Sequence, residues 1–373
     1  MTSDGRETGR GETDVPTGPP LVAPRTGASA STRSAPGSGV SPRAIDSTSP
    51  ASSPLRRFVH AALRATSHLV PEGPLASRWI ALPSFVAFHG RWPRDPDDPR
   101  ALYRDFLYRR MLGPFTAEQR RLVDKIEAKP LVAQACPDLQ VARTVAVLDV
   151  DRRIGRDDLE RFLRPHLGRR LVAKPAHASG LCVFLDRVGS DDLDRLLRLA
   201  RGDYFLHAGE AQYRGLRRRI LVEESLADDD GNPPTSWRFA CTRGIPWLGM
   251  ADVHAGSRLH EHYFDLPSRA LVHARRDDAP LATPVLEMPE HLDEMIGIAA
   301  RLSAPFEFVR VDLYATRDAT WFGELTFTPL AARERFADPE LSRWLLARAM
   351  RPELPRPLPP HLQAAAPRPG GAA

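Results

Sequence analysis

Four residues in the stretch 306–327, FEFVRVDLYATRDATWFGELTF, have the types and spacing for chemistry. Arg310 and Asp312 are two apart, and so are Glu324 and Thr326. β-Branched and aromatic residues dominate 308–314 and 320–327, and Thr316-Arg317-Asp318 separates the two runs, so the stretch predicts a hairpin. Residues two apart on a strand share a face. If the two faces coincide, one arginine and two carboxylates meet in a small volume. Two neighbouring carboxylates repel unless a cation sits between them, and one or two carboxylates plus phosphate oxygens are what Mg²⁺ selects. Taken alone, the same hairpin also reads as a solvated strand face with charges paired across it.

Of 52 basic residues only three are lysine: Lys125, Lys129 and Lys174. A chain that uses arginine nearly everywhere keeps lysine where a compact ammonium serves and the wider guanidinium fork does not. Lys174 stands in a second expected hairpin, 170–176 and 181–187, just before the turn His177-Ala178-Ser179-Gly180. Small residues in a turn let backbone N–H groups approach an anion, an arrangement that fits phosphates. The strand Arg219–Glu224, RILVEE, ends in paired acids. Because consecutive residues face opposite ways, one of these carboxylates must point inward.

The elements that position these residues read as α+β. Residues 1–54 and 351–373 are rich in small residues and proline and are expected to be disordered tails, leaving about 300 residues to fold. A helical N-terminal segment is expected over 55–115 and the main domain over 116–350. The net charge of +5 suits anionic ligands and is too modest for nucleic acid. Three scattered cysteines imply neither a disulfide framework nor a CxxC metal site. With no apolar leader and no run of eighteen apolar residues, a cytoplasmic setting without a spanning helix is expected. Residues 55–70 have helical apolar spacing with arginines off the stripe, which suits a helix docked on a core and also a peripheral helix on a membrane surface. Thr116 and Gln119 form a capping box opening an interrupted helix that ends near Ala135. Strands follow at 143–150, 236–242 and 246–253, and helices at 99–112, 157–167, 191–201, 289–303 and 338–350. Neither GxGxxG nor GxxxxGK[ST] occurs.

In this order the residues resemble the ATP-grasp superfamily, and within it the teichuronopeptide-biosynthesis (TupA-like) branch, over roughly 100–335. The ordered set is FLYRRMLG, VDKIEAK, VAKPAHASG, ILVEESL, WRFACTRG, HYFD, FVRVDLY and FGELTF. The resemblance implies an ATP-grasp fold, two α+β subdomains with ATP between them. It implies that Lys125 and Lys174 are directed at the ATP phosphates and that the turn with His177, Ser179 and Gly180 covers them. Glu223, Glu224 and Leu226 would stand at the adenine, with Asp230 at the ribose. Asp312 and Glu324 look like Mg²⁺ carboxylates, Arg310 steadies the transferred phosphoryl group, and Arg238 replaces a lysine usual in the branch. Thr326 stands where superfamily members commonly carry a metal-binding asparagine, and Ser236 replaces an acid.

The implied activity is a carboxylate–amine ligase using ATP and Mg²⁺, with small-molecule or polymer carboxylate and amine substrates, in cell-envelope polymer or small-peptide assembly. The carboxylate is phosphorylated first, and the acyl-phosphate is then attacked by an amine. A phosphotransferase, a polysaccharide-biosynthesis glycosyltransferase and a nucleotide-binding module without turnover are the alternatives for the same pocket. His254, His260 and His262 in HAGSRLHEH read as polar loop histidines, with a Zn²⁺ site as the sharper alternative. His177 and Ser179 share one turn without a positioned acid, so no catalytic triad is expected.

Overall fold

The computed structural model describes residues 74–255, 258–274, 286–364 and 368–369, all within one unit of the chain. The helix expected at 55–70 lies outside them. The aromatic-rich stretch that follows is itself a helix, α1 (Pro74–His89), which continues through Pro83. Ser77, Ile80, Ala81 and Phe85 are its buried side, at helical spacing. Its end is tied down by His89, whose Nε2 lies 2.8 Å from the Ala332 carbonyl oxygen. Burial lowers the pKa of this histidine to about 4, so the neutral ring donates to that carbonyl.

After α2 (Tyr103–Met111), the capping box forms as expected. Thr116 Oγ1 accepts from the Gln119 N–H at 3.1 Å and opens α3 (Ala117–Val123). The expected break falls at Asp124, whose carboxylate accepts from the N–H groups of Ile126 and Glu127 at 2.9 and 3.1 Å and so starts α4 (Ala128–Ala135).

A four-stranded antiparallel sheet comes next, built of β1 (Thr144–Asp149), β2 (Leu171–Pro175), β3 (Val183–Phe184) and β4 (Arg219–Glu224) in the order β1-β4-β2-β3. Two helices, α5 (Arg156–Leu163) and α6 (Ser190–Arg201), pack on it. On α6, Leu193, Leu196, Leu197 and Ala200 form the buried stripe. They share a core with Leu159, Leu163, Ala173, Ile220 and Val222. A short helix, α7 (Tyr204–Ala208), precedes β4.

The larger sheet has six strands: β5 (Thr235–Thr242), β6 (Ile245–Ala255), β7 (Arg258–Asp265), β8 (Leu271–Val272), β10 (Val309–Ala315) and β11 (Thr320–Thr326), in the order β11-β10-β5-β6-β7-β8. Between β8 and β10 lie β9 (Glu287–Met288), paired in parallel with β12 (Arg368–Pro369), and α8 (Leu292–Ser303). Trp237, Phe239, Val309, Val311, Leu313 and Phe264 are buried in one core with Met295, Ile298 and Leu302 of α8. The register lines up the residues of the other face in a row: Glu324 opposite Asp312, Asp312 opposite Arg238, Arg238 opposite Met250, and Met250 opposite Tyr263.

Two expectations change. The three histidines are not loop residues: His254 lies on β6, and His260 and His262 lie on β7. Where a Pro/Ala-rich tail is expected from 351 on, residues up to 364 pack after α9 (Pro339–Met350), with Leu358 and Leu362 buried and Trp344 Nε1 donating to the Arg356 carbonyl at 3.2 Å. Burying a leucine contributes about 1.5–3 kcal/mol, and prolines lower the ordering cost that this burial has to offset.

Candidate active site

The β10–β11 hairpin brings its four residues together. Arg310 and Thr326 are partners across the ladder, as are Asp312 and Glu324. A register shift follows Asp312, and Gly323 sits there because a Cβ at that position would lie 2.7 Å from the Asp312 carbonyl oxygen. Arg310 grips Asp312 through two nitrogens, Nε at 2.7 Å from Oδ1, and stands 3.7 Å from Glu324 Oε1. Thr326 Oγ1 donates to Glu324 Oε1 at 3.2 Å. Burial raises the pKa of Asp312 above the usual carboxylate range, against the pull of Arg310 and with Glu324 adding to the rise. Burial also opposes the charge on Glu324, but Lys125 and Arg310 outweigh it and hold its pKa low. Two carboxylates and a hydroxyl on one strand face are a donor set that fits a hard divalent cation whose other ligands are phosphate oxygens.

Lys125 reaches this face, and the other two lysines, Lys174 and Lys129, meet on Glu223. The break between α3 and α4 presents Lys125, whose N–H donates to the Ala176 carbonyl at 3.0 Å. Its Nζ donates to the Ala178 carbonyl at 2.8 Å and lies 3.5 Å from Glu324 Oε2, joining the β2–β3 turn to the β10–β11 hairpin. Lys174 pairs with Glu223 Oε1. Burial disfavours the Lys174 charge, yet Glu223 raises its pKa well above the ordinary lysine value. Lys129, which the sequence marks only by its rarity, donates to the other oxygen of Glu223 at 2.6 Å and to the Ala142 carbonyl at 2.6 Å. Of the paired acids ending β4, Glu223 therefore points in, while Glu224 points out to Arg143 at 2.6 Å.

Other sequence-selected residues fall differently. His177 is buried, its Nδ1 accepts from the Arg219 N–H at 3.4 Å, and burial lowers its pKa; the ring faces the β4 backbone. Ser179 is hydrogen-bonded to Tyr204, and Gly180 adopts φ +90°, a left-handed conformation. Leu226 is half-buried just past β4, and Asp230 is exposed on the turn beyond it. Arg238 lies beside Asp312 in the ladder but gives its Nη2 to Asp252 and to Glu261, the latter at 2.6 Å. Burial pushes Asp252 up to about 6, with Glu261 adding to the rise against Arg238. His260 and His262 follow one another on β7, while the ladder pairs His254 with Leu259, out of step with both. No group of three or more His, Cys, Asp or Glu suited to a metal ion occurs among the described residues.

A family model described as TupA-like ATPgrasp matches residues 107–349. The chain belongs to the TupA-like ATP-grasp family. Its fold is the ATP-grasp fold, with the four-stranded and six-stranded sheets as its two α+β halves. Among solved structures it is similar to D-alanine–D-alanine ligase from Bacillus anthracis complexed with ATP, at 14% identity over 56% of this chain and 54% of that one, with a TM-score of 0.31. It is also similar to the ATP-grasp ligase PsnB complexed with a minimal precursor, at 14% identity, 57% and 54% coverage and a TM-score of 0.32. A third is N5-carboxyaminoimidazole synthase from Aspergillus clavatus, at 11% identity, 56% and 46% coverage and a TM-score of 0.31. The matched part spans about half the length of these relatives. No curated protein matches the chain. No helix among the described residues of this ATP-grasp protein is long and apolar enough to cross a membrane.

Residues that sequence reasoning missed are Lys129 as a partner of Glu223, and the group Asp252, Glu261, Tyr263 and Glu334. Lys129 carried a signal, its rarity. The acids on β6 and β7 carried none, since they are separated in sequence and meet only through the ladder.

Proposed function

We propose that this protein is an ATP- and Mg²⁺-dependent carboxylate–amine ligase working through an acyl-phosphate, in cell-envelope polymer or small-peptide assembly. The observation that carries the reading is the cluster in which Lys125 and Arg310 stand beside Glu324, Arg310 grips Asp312, and Lys174, paired with Glu223, is close enough to lower the pKa of Glu324. Lys125 and Lys174 would bind the nucleotide phosphates beneath the 177–180 turn, and the segment from Glu223 to Leu226 would receive the adenine, with Asp230 near the ribose. Asp312 and Glu324, with Thr326 beside them, would hold Mg²⁺, which when bound neutralises phosphate charge and polarises the transferred phosphoryl group. Arg310 must then release one oxygen of Asp312, and its guanidinium is positioned to take up charge on the phosphoryl group as it passes to a carboxylate oxygen. Arg238, one ladder position away, adds positive charge to the same face.

The experiment is product accounting: full-length protein with ATP, Mg²⁺ and a pooled cell extract, followed by mass spectrometry. A ligase yields ADP, phosphate and a new amide. A phosphorylated product with no amide would instead establish a phosphotransferase, and an absence of ATP consumption would leave a binding module.

A further inference from the structure

Helix α1 has two apolar sides. Ser77, Ile80, Ala81 and Phe85 face the core, and on the opposite side Leu75, Trp79, Leu82 and Val86 recur at helical spacing. Leu75 is 79% exposed and Trp79 52%, while Leu82 and Val86 are half-buried. At the far end of the helix Phe88 is 39% exposed, and Trp92, just past it, 68%. Of the eight large hydrophobic side chains exposed among the described residues, these stretches hold every aromatic one, so the apolar exposure is gathered and not scattered. A helix that meets water with its outer side carries charges there, yet Arg78 is the one Asp, Glu, Lys or Arg in α1. Positive charge is gathered too. Residues 55–94 hold six arginines and one acid, Glu72, a surplus equal to the net +5 of the entire chain. Of the three acids that follow, Asp95 and Asp98 pair with Arg109 and Arg100. Arg91 is held by Asp105, whereas Arg78 is exposed beside Trp79, and Arg335 lies over the Phe88 ring with its Cζ 4.5 Å from the centroid.

We infer that the outer side of α1 docks on an anionic lipid bilayer. Leu75 and Trp79 enter the boundary between headgroups and acyl chains, and Arg78 meets lipid phosphates. Tryptophan suits that depth, because its ring is apolar while its N–H stays among polar headgroups. A guanidinium suits the phosphates, which it grips through paired nitrogens. The other side of α1 is committed to the core, so the helix lies on the membrane and does not span it. A bilayer meets both features of the surface, its apolar stripe and its positive charge, whereas a second copy would bring two arginine-rich faces together.

The test is co-sedimentation of the full chain with vesicles of mixed phosphatidylglycerol and phosphatidylcholine, and with vesicles of phosphatidylcholine alone. Wild type should bind the anionic vesicles about tenfold or more tighter than the neutral ones, and more weakly as salt rises. Trp79→Ser should weaken binding to the anionic vesicles by about tenfold or more at an unchanged melting temperature. Leu75→Ser, at a side chain still more exposed, should lose several-fold and serves if Trp79→Ser does not fold. Arg78→Glu should lose several-fold at low salt and little at high salt. A wild type that ignores the anionic vesicles, equal binding to both vesicle types, or equal binding by wild type and the Trp79 and Leu75 variants would each overturn the inference. A dimer in solution that Trp79→Ser splits would place a second copy on this face and overturn it as well. The assay contains no nucleotide, so its outcome is separate from that of the ligase reading.

Discussion

Lys129 Nζ lies 2.6 Å from Oε2 of Glu223, on the carboxylate whose other oxygen Lys174 holds. Burial alone would raise the pKa of Glu223, yet the two ammoniums lower it, so the group is a buried anion between two cations. Glu223→Gln keeps the shape and leaves two like charges facing each other. The expected loss is about 3 kcal/mol of stability, read as a lower midpoint in urea, and a saturating ATP analogue should restore part of it. An unchanged midpoint would contradict this account of the clamp.

Lys174→Arg keeps the charge and should still fail. Its ammonium occupies a largely buried slot against one carboxylate oxygen, whereas a guanidinium is wide, planar and seeks paired acceptors. Affinity for the ATP analogue should fall by about tenfold or more, equivalent to ~1.4 kcal/mol. The exposed turn substitution Arg317→Lys should leave it unchanged, and calorimetry on the three proteins decides.

Gly323→Ala tests the bulge. The added methyl would stand 2.7 Å from the Asp312 carbonyl oxygen, backbone that cannot swing aside, so β10 and β11 must separate where Asp312 and Glu324 face each other. Stability should drop by about 1–3 kcal/mol and ATP turnover with it. Gly297→Ala, on α8 with nothing within 4 Å of the new Cβ, should instead gain about 0.5–1 kcal/mol.

Glu210 predicts a pH dependence away from the lysines. Burial raises its pKa to about 7, although Thr328 and Gln212 hydrogen-bond to it. The folded state holds a proton that the unfolded chain, titrating near 4.5, gives up. This contribution to stability is therefore full below the unfolded pKa, falls as pH rises from there to about 7, and is then level. Melting temperatures from pH 5 to 8 should fall more steeply for wild type than for Glu210→Gln. Parallel curves would show that Glu210 does not titrate in this range.

The hairpin 306–327 was legible in the sequence because alternation survives on both strands, one face apolar for α8 and the other carrying the chemistry. That the helix opened by Thr116 is interrupted was legible; that the break falls at Asp124 was not. β7 was not: His260 and His262 take the place of apolar residues on one face, and Glu261 and Tyr263 belong to an ion network on the other, so HEHY shows no apolar period. α1 hid behind Pro83, and the tail beyond 350 hid two buried leucines among prolines. The position of His177 in the turn was legible, but not the direction of its ring, which folds inward against β4 while Ser179 and Gly180 stay half-buried.

The account's central claim is that the nucleotide phosphates meet a metal held by Asp312 and Glu324. Calorimetric titration of the full chain with a non-hydrolysable ATP analogue, in Mg²⁺ and in EDTA, tests it directly. Wild type should bind about tenfold or more tighter with Mg²⁺, and Glu324→Gln should lose that gain while keeping the metal-free affinity that Lys125 and Lys174 supply. A Glu324→Gln protein that retains the full Mg²⁺ gain, or a wild type that binds equally in Mg²⁺ and EDTA, would contradict it.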